Sequence, residues 1–203
     1  MKLDPFYPIV DGADWVARLV PLGVHLIQLR IKDKNDAELR TEIAASKVIC
    51  DRNQCQLIIN DHWQLAIEEK CDFVHLGQED LVDADVAAIR KAGLKLGVST
   101  HDVDELETGL SVDPEYIALG PVFPTSSKDV KFAPQGLENV RDWKKKVGIV
   151  PLVAIGGISL ERSAGVFENG ADSIAVISDV TKAANPEGRA KDWITATEKW
   201  RQD

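Results

Sequence analysis

The chain has 203 residues, most simply one domain, residues 1–203, long enough to bury roughly 70 per cent of its unfolded surface in one core. With 44% hydrophobic and 28% charged residues it has the make-up of a globular protein, not of a disordered segment. Twenty-four basic against 33 acidic residues give a net charge of −9, and the longest basic run is Lys144-Lys145-Lys146. This argues against a nucleic-acid or anionic-membrane surface, and any phosphate site must be built locally from a few cations and backbone amides.

The N-terminus, MKLDPFYPIVDGAD, lacks the apolar stretch of a signal peptide, and Cys50, Cys55 and Cys71 are odd in number without C-x-x-C spacing. Reduced thiols in a cytoplasmic protein are expected. The longest nearly apolar run, Gly148 to Ile158, has 11 residues, too few to span a bilayer.

Short β-rich runs recur along the chain, each followed by a helical stretch: Tyr7–Asp11, Leu26–Ile31, Gln56–Asp61, Phe73–Gln78, Lys95–Thr100, Tyr116–Phe123, Val150–Gly156 and Ser173–Asp179. Alternation of this kind is the mark of βαβ units and a parallel sheet. Between the second and third runs, Asp36–Asn53 carries Leu39, Ile43, Ala44, Val48 and Ile49 at helical spacing. The last helix is predicted from about Pro186 to Arg201, with Asn185 as its cap. Eight such units close most naturally into an α/β fold of the (β/α)8 TIM barrel type. An open doubly wound sheet is the alternative, but Val10-Asp11-Gly12-Ala13 is not the glycine-rich turn that fold usually shows after its first strand.

In a barrel the active face is the carboxyl end of the strands, and polar residues gather there. The second strand ends in Gln28-Leu29-Arg30-Ile31-Lys32, where alternation puts Gln28, Arg30 and Lys32 on one side. Such a charged face calls for an anion, unless the strand merely runs out into solvent at Lys32. Asp61 and Asp80 follow the third and fourth strands and would face one another across the sheet edge. Two carboxylates so close need a proton or a cation between them, and Mg²⁺ suits a sparse acidic site; the other reading is that both acids cap the following helices.

Ser99 and Thr100 end the fifth strand within reach of a small heterocycle. Thr125-Ser126-Ser127-Lys128 follows the sixth, a polar loop suited to a phosphate ester or simply a loop. Gly156-Gly157 and Ile177-Ser178 follow the seventh and eighth, where barrels commonly bind phosphate through backbone N–H groups. His62, His75 and His101 form no zinc spacing and are expected to be packing or surface residues. Neither a G-x-S-x-G elbow nor a Lys placed for Schiff-base chemistry is present.

Taken in order, QLRIK, IIND, HLGQED, LGVST, LGPVFPTSSK, AIGGI and AVIS resemble the thiamine-phosphate synthase (thiamine phosphate pyrophosphorylase) family over nearly the whole chain. The resemblance implies an enzyme that joins hydroxymethylpyrimidine diphosphate to hydroxyethylthiazole phosphate, releasing pyrophosphate with Mg²⁺. It assigns Gln28, Leu29, Arg30, Ile31, Lys32, Asn60, Ser99 and Lys128 to the pyrimidine diphosphate and Asp61 and Asp80 to Mg²⁺. Thr125, Ser126, Ser127, Gly157, Ile177 and Ser178 fall to the thiazole phosphate, and Arg30, Lys32, Ser99 and Lys128 to the catalytic group. Its partners would be small phosphorylated molecules, with no nucleic acid or membrane, and a homo-oligomer is left open. One departure is Thr125-Ser126-Ser127-Lys128 where the family commonly has Thr-x-Thr-Lys. The hydroxyl is kept and a methyl lost. Two other activities fit the same barrel: a thiazole tautomerase-like relative and a non-catalytic thiamine phosphate-binding protein.

Overall fold

The computed structural model describes residues 2–125 and 132–201. Ser126, Ser127 and Lys128 lie outside the described residues. The chain runs β1 (Phe6–Val10), α1 (Ala13–Leu19), a 3-10 turn (Val20–Leu22), β2 (Leu26–Leu29), α2 (Asp36–Arg52), β3 (Gln56–Asn60), α3 (Trp63–Glu68) and β4 (Phe73–Leu76). It continues through α4 (Gln78–Asp83), α5 (Val86–Lys91), β5 (Lys95–Thr100), α6 (Val103–Ser111), β6 (Tyr116–Leu119) and α7 (Gly136–Val147). The remainder is β7 (Leu152–Ile155), α8 (Leu160–Glu168), β8 (Ser173–Val176), α9 (Ser178–Thr181), α10 (Pro186–Thr197) and a final 3-10 turn (Glu198–Trp200).

Each strand pairs in parallel with the next, and β8 pairs back onto β1 through Phe6–Ile174 and Tyr7–Ala175, so the sheet closes and leaves no edge. An open doubly wound sheet is excluded. Among the described residues no helix is long and apolar enough to cross a membrane.

The strands are buried on both faces because the two sides of the wall meet different layers. Outward residues such as Ile27, Leu29, Leu57, Ile59, Val74, Leu76, Val98 and Leu119 pack under the helices. Inward residues Tyr7, Ile9, Leu26, Ile58, Phe73, Tyr116, Ala118, Val153 and Ala175 form a second cluster that fills the barrel. A filled interior makes this a core and not a pore.

Several strands end earlier than their β-rich runs suggest. β2 stops at Leu29 and β6 at Leu119, so the last apolar residues of each run belong to the loops at the rim. Strand alternation therefore does not extend to Arg30 and Lys32: Gln28 is buried inside the barrel, Arg30 is half-buried just past the strand, and Lys32 is exposed.

Asn35 opens α2 by accepting from the Ala37 and Glu38 N–H groups while Glu38 reaches back to the Asn35 N–H, a reciprocal cap that holds the first turn. The buried stripe of α2 is Leu39, Ile43, Ser46 and Cys50, spaced by four, three and four; Ala44 and Val48, expected on that stripe, face solvent. A seven-residue repeat selects only one face of a helix, and Ser46 occupies it despite being polar. The Ser46 hydroxyl is fully buried and has no hydrogen-bond partner among the described residues. Ser46→Ala is expected to stabilise the protein by about 1 kcal/mol, since it removes an unsatisfied polar group and raises helix propensity. The check is thermal unfolding, with a rise of roughly 2–4 °C for a chain of this size.

Candidate active site

Along four consecutive strands, an inward apolar or glycine position is followed two residues on by an inward polar one: Leu26 then Gln28, Ile58 then Asn60, Phe73 then His75, Gly97 then Ser99. Because side chains alternate along a strand, these polar residues lie on the inner face near the carboxyl end. The interior thus changes from apolar to polar toward that rim. Asn60 and His75 are paired in register, as are Gly97 and Tyr116. A Cβ on Gly97 would collide with the Tyr116 ring, so glycine there is what lets that ring lie across the barrel.

Gln28, His75 and Ser99 of this ring are linked through the Tyr7 and Tyr116 hydroxyls. Gln28 Nε2 donates to the Tyr7 hydroxyl at 2.7 Å, the Tyr7 and Tyr116 hydroxyls are 2.9 Å apart, and Tyr116 Oη lies 2.7 Å from His75 Nδ1. His75 Nε2 is 2.7 Å from Ser99 Oγ. Burial, and secondarily the charge of Arg30, push His75 down to about 3, so its imidazole is neutral at physiological pH. Gln78 Nε2 holds the Ser99 carbonyl at 2.7 Å, fixing the end of β5.

Asp61 follows β3 with φ +62°, a left-handed turn that Asp and Asn tolerate better than other side chains with a Cβ. Its N–H bonds to the His75 carbonyl at 2.9 Å, so the turn is anchored to the neighbouring strand. Burial, then the charge and hydrogen bond of Asp80, push the Asp61 carboxyl up to about 6; Arg30 and His62 act in the opposite direction. The two acids therefore meet side chain to side chain, within electrostatic reach of Arg30. Neither is a helix cap: α3, which follows Asp61, has His62 at its N-cap position with no side-chain cap bond, and Asp80 lies inside the first turn of α4, whose N-cap position is Gly77. His62 Nε2 lies 3.3 Å from the Ile31 carbonyl and ties the loop that carries Arg30 and Lys32 to the Asp61 turn.

A carboxyl that keeps its proton to about pH 6 in the folded state, but loses it near 3.8 when unfolded, makes the native protein the stronger proton binder between those values. The stabilisation is complete below the lower value and is lost as pH rises through the upper one. For the metal-free protein the expected loss is on the order of 1 kcal/mol, discounted for solvent at the open rim. Urea midpoints of wild type and Asp61→Asn should converge at pH 4 and diverge by pH 7, with the wild type the weaker.

On the opposite side of the rim, Gly156 and Gly157 have φ +97° and +65° and lead into α8. A Cβ on Gly157 would strike the carbonyl oxygens of Phe123 and Pro124, so the turn after β7 lies directly against the loop that leads to Thr125. Thr125 is half-buried, and Ile177 and Ser178 are exposed at the start of α9. Asp179 holds this corner: Oδ2 accepts from Arg189 Nε at 2.9 Å, Trp193 Nε1 at 2.7 Å and the Leu160 N–H at 3.3 Å. One carboxylate thereby locks α8, α9 and α10 together.

Some expected residues stand elsewhere. Thr100 does not face the site; its hydroxyl donates to the Ala118 carbonyl and accepts from Trp143 Nε1 on the helix side of the wall. Leu29 and Ile31 point into the outer core, so only their backbones are available to a ligand. His75, expected as packing, joins the polar ring, as do Tyr7 and Tyr116, which sequence reasoning missed. The signal was the strand phase: His75 stands to Phe73 as Asn60 stands to Ile58.

Among the described residues no three His, Cys, Asp or Glu side chains come together as a metal site, so Asp61 and Asp80 stand as a pair. A close pair of hard carboxylates fits Mg²⁺, which takes one or two carboxylates and fills its remaining positions with water and phosphate oxygens.

Known proteins resemble this chain over nearly its whole length. A family model described as Thiamine monophosphate synthase matches residues 6–180. The chain is 62% identical to "Thiamine-phosphate synthase" of Rhizobium etli, over 99% of this chain and 98% of that one. It is 53% identical to the protein of the same name from Cronobacter sakazakii, over 95% and 89%. The solved structure "Thiamine phosphate pyrophosphorylase from Pyrococcus furiosus" superposes with a TM-score of 0.86 at 26% identity, covering 98% of each chain. With this match running from β1 into α9 and through the acid pair, the polar ring and the glycine turn, the chain belongs to the thiamine monophosphate synthase family.

Proposed function

We propose that this barrel is a transferase that condenses 4-amino-2-methyl-5-hydroxymethylpyrimidine diphosphate with hydroxyethylthiazole phosphate, giving thiamine phosphate and pyrophosphate. The observation that carries this reading is the meeting of Asp61 and Asp80 beside Arg30, at a rim whose other half is a glycine turn packed on a hydroxyl-bearing loop. One side suits a diphosphate and its metal, the other a phosphate monoester.

In the reaction the methylene C–O bond breaks and its electron pair leaves on the diphosphate. The thiazole nitrogen then supplies the pair for the new C–N bond. No proton has to move, so the protein needs neither nucleophile nor general base. Its task is to neutralise charge that develops on the departing group and to hold the two rings in line.

Arg30 and Lys32, with Lys128, would meet the leaving oxygens, and the Ser99 hydroxyl would donate to one of them. Gln28 and Asn60 line the inner wall beneath, where the aminopyrimidine would sit. Asp61 and Asp80 would hold Mg²⁺, which when bound supplies positive charge to the diphosphate. Gly157, Ile177 and Ser178, with Thr125, Ser126 and Ser127, would take the thiazole phosphate. The test is release of pyrophosphate from the two substrates with Mg²⁺ present. Product formation is expected only with both substrates; binding of thiamine phosphate without turnover would refute the reading.

A further inference from the structure

We propose that Tyr7, Tyr116 and His75 are positioning residues: a one-way chain of hydrogen bonds, started by the Gln28 amide, holds the Ser99 hydroxyl with its hydrogen directed toward the substrate. The inference rests on the proposed diphosphate substrate for its purpose, but not for its geometry.

The chain has five members and four contacts, each between 2.7 and 2.9 Å. Direction follows from counting hydrogens. An amide nitrogen only donates, and a phenol has a single hydrogen to give. Tyr7 accepts from Gln28 Nε2, and among the described residues its single hydrogen finds its acceptor in the Tyr116 oxygen, 2.9 Å away. Tyr116, having accepted, gives its own to His75 Nδ1. A neutral imidazole that accepts at Nδ1 carries its hydrogen on Nε2, and that hydrogen goes to Ser99 Oγ. Ser99 is then an acceptor within the chain, and its own hydrogen is free to be donated outside it.

The reverse direction would begin with the amide oxygen of Gln28 accepting from Tyr7. Ser99 would then spend its hydrogen on His75 and could offer an oxyanion nothing. The orientation of one amide at β2 therefore decides whether a side chain on β5, three strands away, is a donor or an acceptor. Other freedoms are already removed. Gln78 pins the Ser99 carbonyl. The Tyr116 ring lies stacked with His75 at 5.6 Å, edge-on to Tyr7 at 6.1 Å, in the space that Gly97 leaves.

The tautomer of His75 reports the direction without any substrate. Nitrogen-15 NMR of the imidazole in the metal-free protein, assigned by comparison with His75→Asn, is expected to show the hydrogen on Nε2. Tyr116→Phe removes the donor to Nδ1 and should turn that single form into a mixture. A hydrogen on Nδ1 in the wild type would overturn the proposal.

Kinetics supply the second arm. Tyr116→Phe should lower kcat by about 3- to 10-fold when Ser99 is present, the scale of one hydrogen bond. In a Ser99→Ala background it should cost nothing further, because the chain no longer ends on a donor. Equal losses in both backgrounds would mean that Tyr116 merely supports the fold, and would also overturn the proposal. Tyr7→Phe, which cuts the chain one link earlier, serves if Tyr116→Phe fails to fold. Absence of turnover in the wild type would count against the functional reading alone, since the tautomer decides the direction by itself.

Discussion

Asp61→Asn is expected to lower turnover by more than about 100-fold, the scale of losing a principal charge-stabilising element, while making the metal-free protein more stable at pH 7. The two effects have opposite signs for one reason. In the wild type, burial and the Asp80 carboxyl hold the Asp61 proton to about pH 6, so above that pH the native state carries two repelling charges. The proposed divalent ion at the rim would turn that repulsion into attraction. An amide would remove the repulsion and the proposed metal ligand together. Asn is the right substitution because Asp61 sits at φ +62°, where Asn is tolerated and Ala would add backbone strain of its own. Steady-state pyrophosphate release and urea unfolding of the same preparation measure both quantities. Wild-type turnover in the variant would remove the metal assignment, and a drop in both activity and stability would make Asp61 a structural residue.

Gly157→Ala is expected to raise the KM for the thiazole phosphate by at least about 30-fold and to destabilise the fold by about 1–3 kcal/mol. Two causes add. Gly157 has φ +65°, and a Cβ there meets the backbone carbonyls of Phe123 and Pro124, which cannot swing aside as a side-chain tip would. The turn after β7 or the loop after β6 must move, and both belong to the proposed phosphate pocket. Gly148 separates the causes: its φ is +61°, yet a Cβ there meets nothing within 4 Å. Gly148→Ala should therefore show the strain alone, with KM for both substrates unchanged. Substrate titrations and thermal unfolding of the two variants decide it, and equal behaviour of the pair would discard the close-approach argument.

Much of the barrel was legible because its signals are local. Each β-rich run is rich in Ile, Val and Leu and sits between helical stretches, and β5 and the start of α10 fall where the sequence puts them. The carboxyl ends were also readable as a group, since a polar side chain at the end of a buried strand is costly unless it meets a ligand or another polar group. Less legible was where each strand stops. Ile31 and Phe123 carry strand-like side chains, but their backbones already belong to rim loops, and loop geometry is set by what the loop packs against. The inward stripe of α2 was misread for a related reason: Ser46 and Cys50 look no more buried in sequence than Ala44 and Val48, and only the facing strands choose among them.

By itself the sequence determined the alternation of strand and helix, the placement of Gln28, Asn60, Asp61 and Ser99 at or just past strand ends and of Asp80 shortly after β4, and the glycines at the turn after β7, because these depend on side-chain type and spacing along the chain. Tertiary structure alone decided that Asp80 stands close enough to Asp61 to help raise its pKa, that Thr100 turns outward, and that Tyr7, Tyr116 and His75 link Gln28 to Ser99 across the interior. Those facts depend on strand register and closure. Register fixes which residues stand opposite one another, and closure brings β1 within reach of β6, residues 7 and 116, a distance no local pattern encodes.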